Sequence, residues 1–142
     1  MRRRCAAGIG AVVVAVAITA CSGSDASSSA AASSSAVVCD AADELRTSLD
    51  ALSDVQPVED GTDAVRQAFA SVKTDLAQLG TDARDEYAGE VDRVQADADA
   101  VQTAVDTAQG APSAQTLGAV ASAIDVLLRD ARALVDEVRE SC

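Results

Sequence analysis

The sequence predicts an all-α protein folded as an antiparallel helical bundle, and three observations support this fold class. From Val38 to Val138, apolar residues recur at alternating spacings of three and four, with Asp, Glu, Arg and Gln between them. This pattern is typical of helices that bury one face. No stretch alternates apolar and polar residues with a period of two, so no strand is expected. Turn-forming residues interrupt the pattern near Pro57 and Pro112.

The apolar pattern divides into successive helices. Pro57 lacks an amide hydrogen, so the first helix ends before it, and Asp60, Thr62 and Asp63 offer capping oxygens to the second. Gly110 and Pro112 end the third helix, and Ser113 is the expected N-cap of the fourth. The apolar positions are Val38, Ala42, Leu45, Leu49 and Leu52; Val65, Phe69, Val72, Leu76 and Leu79; Tyr87, Val91, Val94, Ala98, Val101, Val105 and Ala108; and Leu117, Val120, Ile124, Leu127, Ala131, Leu134 and Val138.

The junction between the second and third helices stays open at this point. Gly80-Thr81-Asp82 has the composition of a helix end followed by a new cap, and Gly89 is an alternative break. The apolar positions also allow one continuous helix through this region.

Residues 1–20 have the features of an export signal. Arg2-Arg3-Arg4 precedes an apolar run that is too short, at ~24 Å as a helix, to cross a ~30 Å hydrocarbon core. Ile18-Thr19-Ala20-Cys21 resembles the lipobox of bacterial lipoproteins, in which an aliphatic and two small residues precede an acylated cysteine. The resemblance implies cleavage after Ala20 and a lipid on Cys21. It also implies a lipid anchor at the extracytoplasmic face of the cell membrane.

The remainder divides into a tether and a domain. Residues 21–37 are mostly Ser and Ala, which bury too little apolar surface to offset ordering, and we expect a disordered tether there. Residues 38–142 form the expected bundle. Loss of the three signal arginines would change the formal net charge from −12 to −15. This charge argues against nucleic acid, which basic residues bind, and it allows a basic protein of the envelope as a partner.

Two cysteines favour four helices over three. Once Cys5 leaves with the signal and Cys21 carries lipid, as the resemblance implies, Cys39 and Cys142 are the remaining thiols of an exported protein. We predict that they form a disulfide, which requires Cα atoms within ~7 Å of each other. Both ends of the domain then lie at the same end of the bundle. An up-down-up-down bundle of four helices meets this condition, with a break somewhere in residues 80–89.

The sequence indicates no catalytic centre, cofactor or metal site. Histidine is absent, no cysteine pair has zinc-ligand spacing, and no glycine-rich phosphate loop is present. Asp97 and Asp99 are two residues apart in a helix and therefore point in different directions. Glu59-Asp60-Gly61-Thr62-Asp63 lacks the oxygen spacing of a calcium loop, and helix capping is the expected role there.

One group of residues is a candidate interaction site, here named the acidic patch. It comprises Asp82, Asp85, Glu86, Tyr87 and Glu90. It is either a solvated face or a docking surface for a basic partner. Tyr87 either covers the bundle end with its hydroxyl in water or contacts that partner.

A second resemblance concerns the domain. A cysteine at each end of a helical region, together with Gln56-Pro57-Val58 and Gly61-Thr62, resembles small secreted actinobacterial lipoproteins. We expect a non-enzymatic interaction or structural module of the cell envelope. The alternative is a carrier of an apolar or lipidic ligand between the helices, because Val and Ala core positions leave room for a groove.

Overall fold

A computed structural model describes residues 25–142, with side-chain surroundings from Ser35 onward except at positions 84 and 85. The predicted signal peptide, residues 1–20, and Cys21 lie outside the described residues. Four helices make up the described chain: α1 (Asp25–Ser53), α2 (Gly61–Asp82), α3 (Arg84–Gly110) and α4 (Ala114–Glu140). The predicted all-α four-helix bundle is confirmed.

Each helix packs against two others, so the four form a square. α1 contacts α2 and α4, and α3 also contacts α2 and α4. One end of the bundle, the disulfide end, holds Cys39, the α2–α3 junction at Ala83, and Cys142. The opposite end, the loop end, holds the connections at residues 54–60 and 111–113.

The core follows the predicted apolar pattern. All the predicted positions are buried except Val38 and Leu117, which are half-buried and lie at the two ends of the bundle. Phe69 is a core residue, as its position in the pattern indicates. The three-and-four spacing therefore identified the buried face of every helix.

A disulfide joins Cys39 in α1 to Cys142, which lies two residues beyond the end of α4. The Cys39 and Cys142 sulfurs are 2.05 Å apart and their Cα atoms 6.0 Å apart. The predicted pairing is seen, and it joins residues separated by 103 positions in the chain. Arg139–Asp43 (3.4 Å) and Arg132–Asp50 (3.2 Å) add ion pairs between α4 and α1.

The N-terminal part of α1 differs from the predicted tether. Residues 25–37, expected to be disordered, are helical and continuous with the packed part of α1. No Gly or Pro occurs from Asp25 to Ser53, and Ala has the highest helix propensity. Extending an existing helix avoids the cost of nucleation. The 14 residues before Cys39 therefore project ~21 Å as a helix.

The first loop does not use the predicted caps. The Asp60 carboxylate makes no cap bond to α2; its Oδ2 accepts from the Gln56 amide at 2.8 Å and closes the turn instead. Gly61 begins α2 with a φ of +80°, a conformation that favours glycine. Ser113, in contrast, is the predicted N-cap of α4, and it exchanges hydrogen bonds with Thr116 in a capping box.

The open question of the α2–α3 junction is settled at Ala83, where α2 ends and α3 begins. Gly80 is not a helix-ending glycine; it lies inside α2 and is buried. A Cβ at Gly80 would lie 2.9 Å from Val91 Cγ1, so the glycine permits close packing of α2 on α3. Gly89 lies within α3, beyond a local kink at Tyr87 (φ −118°, ψ 27°).

Candidate functional site

The acidic patch lies at the disulfide end, on the last turn of α2 and the first turns of α3. Glu86 and Glu90 are exposed. Asp82 is half-buried, and its Oδ2 accepts from Gln78 Nε2 at 2.7 Å. Asp85 lies on the first turn of α3. The carboxylates of the patch thus come from both sides of the junction.

Tyr87 does not belong to the surface of this patch. Only 6% of the residue is exposed, and its hydroxyl lies 3.0 Å from Ser141 Oγ. Ser141 donates its own proton to the Val138 carbonyl at 2.7 Å, so the Tyr87 hydroxyl is the donor to Ser141. Tyr87 covers the bundle end as one of its two predicted roles had it, but the prediction that its hydroxyl lies in water is wrong. The ring fills the junction and ties α3 to the end of α4.

A second group of charged side chains joins α3 to α4 and was not predicted. Asp130 on α4 accepts a hydrogen bond from Arg129 Nε at 3.2 Å and forms an ion pair with Arg93, whose Nε lies 2.9 Å from Asp130 Oδ2. Beside it lies Asp97 of α3, whose Oδ2 is buried and receives no hydrogen bond. Two carboxyl groups and two guanidinium groups therefore meet along one helix–helix seam.

The two carboxyl groups are perturbed in opposite directions. Burial raises the pKa of Asp97, and the nearby Asp130 carboxylate raises it further. Hydrogen bonding from Arg129 lowers the pKa of Asp130, and the positive charge of Arg93 adds to this effect. Asp97 is thus the group that takes up a proton first, and that proton would supply the missing hydrogen bond to Asp130.

The sequence does contain a signal for this pair. In the heptad frame set by Val91, Val94 and Ala98, Asp97 immediately precedes a core position. Asp130 precedes Ala131 in the same way on α4. Residues that flank the core positions of antiparallel neighbours face each other across the seam. The sequence analysis compared Asp97 only with Asp99, which lies on the same helix. The partner of Asp97 is Asp130, which lies on α4.

A third feature is an open groove between α2 and α3, here named the α2–α3 groove. Its cavity measures about 390 Å³. Phe69 and Val105 form its floor, and Arg66, Lys73 and Gln102 stand on its rim. Lys73 Nζ lies 5.8 Å from the centre of the Phe69 ring.

The α2–α3 groove continues toward the loop end. A second cavity of about 650 Å³, the loop-end cleft, shares Arg66 with it and lies between the first loop and the C-terminal part of α3. Glu59 and Asp60 line this cleft, together with Val58, which is 71% exposed. The two cavities are surface features that open to solvent beside the packed core.

The described residues contain neither a metal-binding cluster nor a membrane-spanning helix. No group of three or more His, Cys, Asp or Glu side chains within residues 35–142, apart from positions 84 and 85, is arranged to hold a metal ion. No helix of the described chain has an apolar stretch of the length that a bilayer crossing needs.

No protein-family model, curated protein or solved structure matches the chain.

Proposed function

We propose that the protein is a lipid-anchored lipoprotein of the cell envelope whose helical bundle is a non-enzymatic interaction module. The observation that carries this proposal is the segment Ile18-Thr19-Ala20-Cys21 after a basic and apolar stretch. In this arrangement Cys21 holds the chain at the extracytoplasmic face of the membrane. The Ser/Ala-rich part of α1 then separates the bundle from the lipid by ~21 Å.

The charged groups of the bundle support a role without catalysis. Among the carboxyl groups whose surroundings the structure describes, Asp97 and Asp130 have perturbed pKa values, and such groups are candidates for acid–base chemistry. Arg93 and Arg129 occupy the Asp130 oxygens, however, and neither aspartate lines a cavity described above. Their arrangement favours a structural link between α3 and α4.

Carriage of an apolar or lipidic ligand remains the second candidate function. The α2–α3 groove, with its Phe69 and Val105 floor, is the place that favours it. Ligand sites usually enclose most of a small molecule, whereas this groove is open along one side. Phe69 and Val105 are also only 3% and 1% exposed, so the groove offers little apolar surface to such a ligand.

The lipid anchor is tested by substituting Cys21. Wild-type protein is expected in the membrane fraction, with a mass that includes a diacylglycerol, and Cys21→Ala is expected to lose both properties. Globomycin, which blocks cleavage of lipoprotein signals, should leave the precursor mass. Cys39→Ser is the matched control, because it also removes one cysteine but leaves the lipobox intact. If Cys21→Ala stays membrane-bound with unchanged mass, the anchor is not a lipid on Cys21.

The interaction role is tested separately by carboxyl-to-amine crosslinking in intact cells. The acidic surface of the bundle supplies many carboxylates for this reaction. Covalent adducts with other envelope proteins are expected. Recovery of uncrosslinked protein alone would contradict an interaction module.

A further inference from the structure

We propose that the Cys39–Cys142 disulfide is a redox-sensitive latch, which a dithiol reductant opens without unfolding the four helices. The latch residues are Ser141 and Cys142, which follow the end of α4. Opening the disulfide releases them from the bundle end and frees the Tyr87 hydroxyl. The inference goes beyond the proposed function and does not depend on the lipid anchor.

The disulfide lies at the surface of the bundle. Cys142 is exposed and Cys39 is half-buried. A cavity of about 170 Å³ lies beside Cys39, and Tyr87 and Ser141 also line it. A disulfide is broken by direct attack of a thiolate on one of its sulfurs, so the rate depends on access to that sulfur. The exposed position of Cys142 favours direct exchange in the folded protein.

Reduction of the latch is a two-step thiol–disulfide exchange. The thiolate of the dithiol attacks Cys142 Sγ, the bond between the two cysteines breaks, and Cys39 leaves as a thiolate that takes up a proton. The second thiol of the reductant then attacks the mixed disulfide and releases Cys142 as a thiol. The reductant closes its own disulfide, so two electrons and its two thiol protons pass to Cys39 and Cys142.

The other contacts of the latch residues are short-range or single. The amides of Ser141 and Cys142 donate to the carbonyls of Val138 and Arg139 at 3.1 and 3.2 Å, one turn back along the chain. The hydrogen bond from Tyr87 to Ser141, 3.0 Å long, links the latch to α3. One hydrogen bond contributes much less net stability than a covalent link across a long loop. We therefore expect the latch residues to separate from Tyr87 once the disulfide is open.

The helical core does not include the latch residues. Ser141 and Cys142 are both exposed, whereas the buried positions extend through all four helices. The ion pairs Arg139–Asp43 and Arg132–Asp50 also join α4 to α1 independently of the sulfurs. Reduction should therefore lower the stability of the bundle and leave its helices folded.

The charge around the disulfide determines which thiols react fastest. Asp82 and Glu86 line the cavity beside Cys39. Asp40 and Glu140 are exposed and lie within two positions of the two cysteines in the chain. Charges of this kind act over a Debye length of about 8 Å at physiological salt. A thiolate that carries further negative charge is repelled here, and a cationic thiol is attracted.

The first test measures reduction of the full-length chain under native conditions. Thiols that are free beforehand are blocked with N-ethylmaleimide, dithiothreitol is added, and new thiols are counted by alkylation and mass spectrometry. We expect two new thiols, at a rate that low urea concentrations leave unchanged. If the disulfide reacts only in unfolded molecules, the rate will rise with urea as the population of unfolded protein does. That result would overturn the latch.

The second test examines the reduced and alkylated protein. Its far-UV circular dichroism should remain helical. The sequence contains one tyrosine and no tryptophan, so its fluorescence reports on Tyr87. Acrylamide quenching of this fluorescence should increase about twofold on reduction, because local opening gives the quencher access. Loss of the helical signal, or quenching equal to that of the oxidised protein, would overturn the proposal.

A matched control removes both sulfurs. The double variant Cys39→Ser/Cys142→Ser should show the high quenching of the reduced protein, with or without dithiothreitol. If dithiothreitol changes the quenching of this variant, the change does not come from the latch and the proposal fails.

The third test compares a cationic thiol, cysteamine, with an anionic one, glutathione. Glu86→Gln should lower the ratio of the cysteamine rate to the glutathione rate about twofold, from the Coulomb energy of one charge at about a Debye length. Glu59→Gln makes the same change at the loop end and should leave the ratio unchanged. An equal ratio in Glu86→Gln and the wild type would overturn the selection by charge.

Discussion

Gly80 allows the packing of α2 on α3 to be tested by a single methyl group. A Cβ at this position would lie 2.9 Å from Val91 Cγ1 and 3.4 Å from Gln95 Nε2. Gln95 can move its flexible end, but Val91 is β-branched and has one strongly preferred rotamer in a helix. Relief of the clash therefore requires α2 and α3 to separate or Val91 to leave its rotamer.

The magnitude follows from two opposing effects of Gly80→Ala. Replacing a helical glycine with alanine gains about 1 kcal/mol of helix propensity. Overpacking a closed contact costs typically about 1–3 kcal/mol. We expect a net loss of about 1 kcal/mol in the free energy of unfolding. Gly89→Ala is the matched control, because nothing lies within 4 Å of its Cβ position. This variant should gain about 0.5–1 kcal/mol.

Urea unfolding followed by far-UV circular dichroism measures both changes. The two variants should shift the unfolding midpoint in opposite directions with similar m-values. A Gly80→Ala protein as stable as Gly89→Ala would refute the packing argument.

The double variant Gly80→Ala/Val91→Ala adds a further test, because the new methyl group enters the space that Val91 vacates. Its loss should be smaller than the sum of the two single losses, and strict additivity would show that the two positions do not touch.

Three further predictions concern the disulfide, the acid pair and the α4 cap. Cys39→Ser should expose one titratable thiol at Cys142 and lower stability by up to ~4–5 kcal/mol, the chain-entropy value for a loop of about a hundred residues; an unchanged thiol count and melting temperature would contradict it. Asp97 has a raised folded-state pKa, so its contribution to stability is present below the ordinary pKa of 3.8 and is lost as the pH rises through the folded-state value. Asp97→Asn should therefore stabilise the protein near pH 7 more than near pH 3 in urea unfolding, and a pH-independent difference would count against the acid pair. Ser113→Ala should cost about 1 kcal/mol in thermal unfolding because the α4 capping box is lost, with exposed Ser122→Ala as the control; equal effects would show that the cap contributes nothing.

The sequence predicts the buried positions of the helices and the disulfide. A helix that buries one face repeats its apolar residues at fixed spacing whatever it packs against, so the core positions from Ala42 to Val138 are visible in advance. The disulfide was predicted because Cys39 and Cys142 are the two thiols that remain once Cys5 and Cys21 are assigned to the signal and the lipid. Neither inference needs to know which helices are neighbours in the bundle.

Features that depend on contacts between helices are not visible in this way. Gly80 lies in a segment whose composition is typical of a helix end. In the structure it lies inside α2, where the absence of a side chain lets Val91 of α3 pack closely. Tyr87 lies among carboxylates in the sequence, yet its hydroxyl bonds Ser141, 54 positions away. The Asp60 carboxylate accepts a hydrogen bond from the Gln56 amide in the turn before α2 and makes no cap bond to the helix. Each assignment required the relative placement of two segments.

The two seams that α3 forms with its neighbours differ in charge within the same strongly acidic bundle. On the α4 side, Asp97 and Asp130 face each other, and two arginines are drawn to that seam to balance them. On the α2 side, α3 presents Gln102, and the rim cations Arg66 and Lys73 stay open to solvent. Exposed charges of this kind act within a Debye length of about 8 Å at physiological salt. Distant acidic side chains of the bundle are thus screened, and the electrostatics of each seam depend mainly on the charged groups that lie along it.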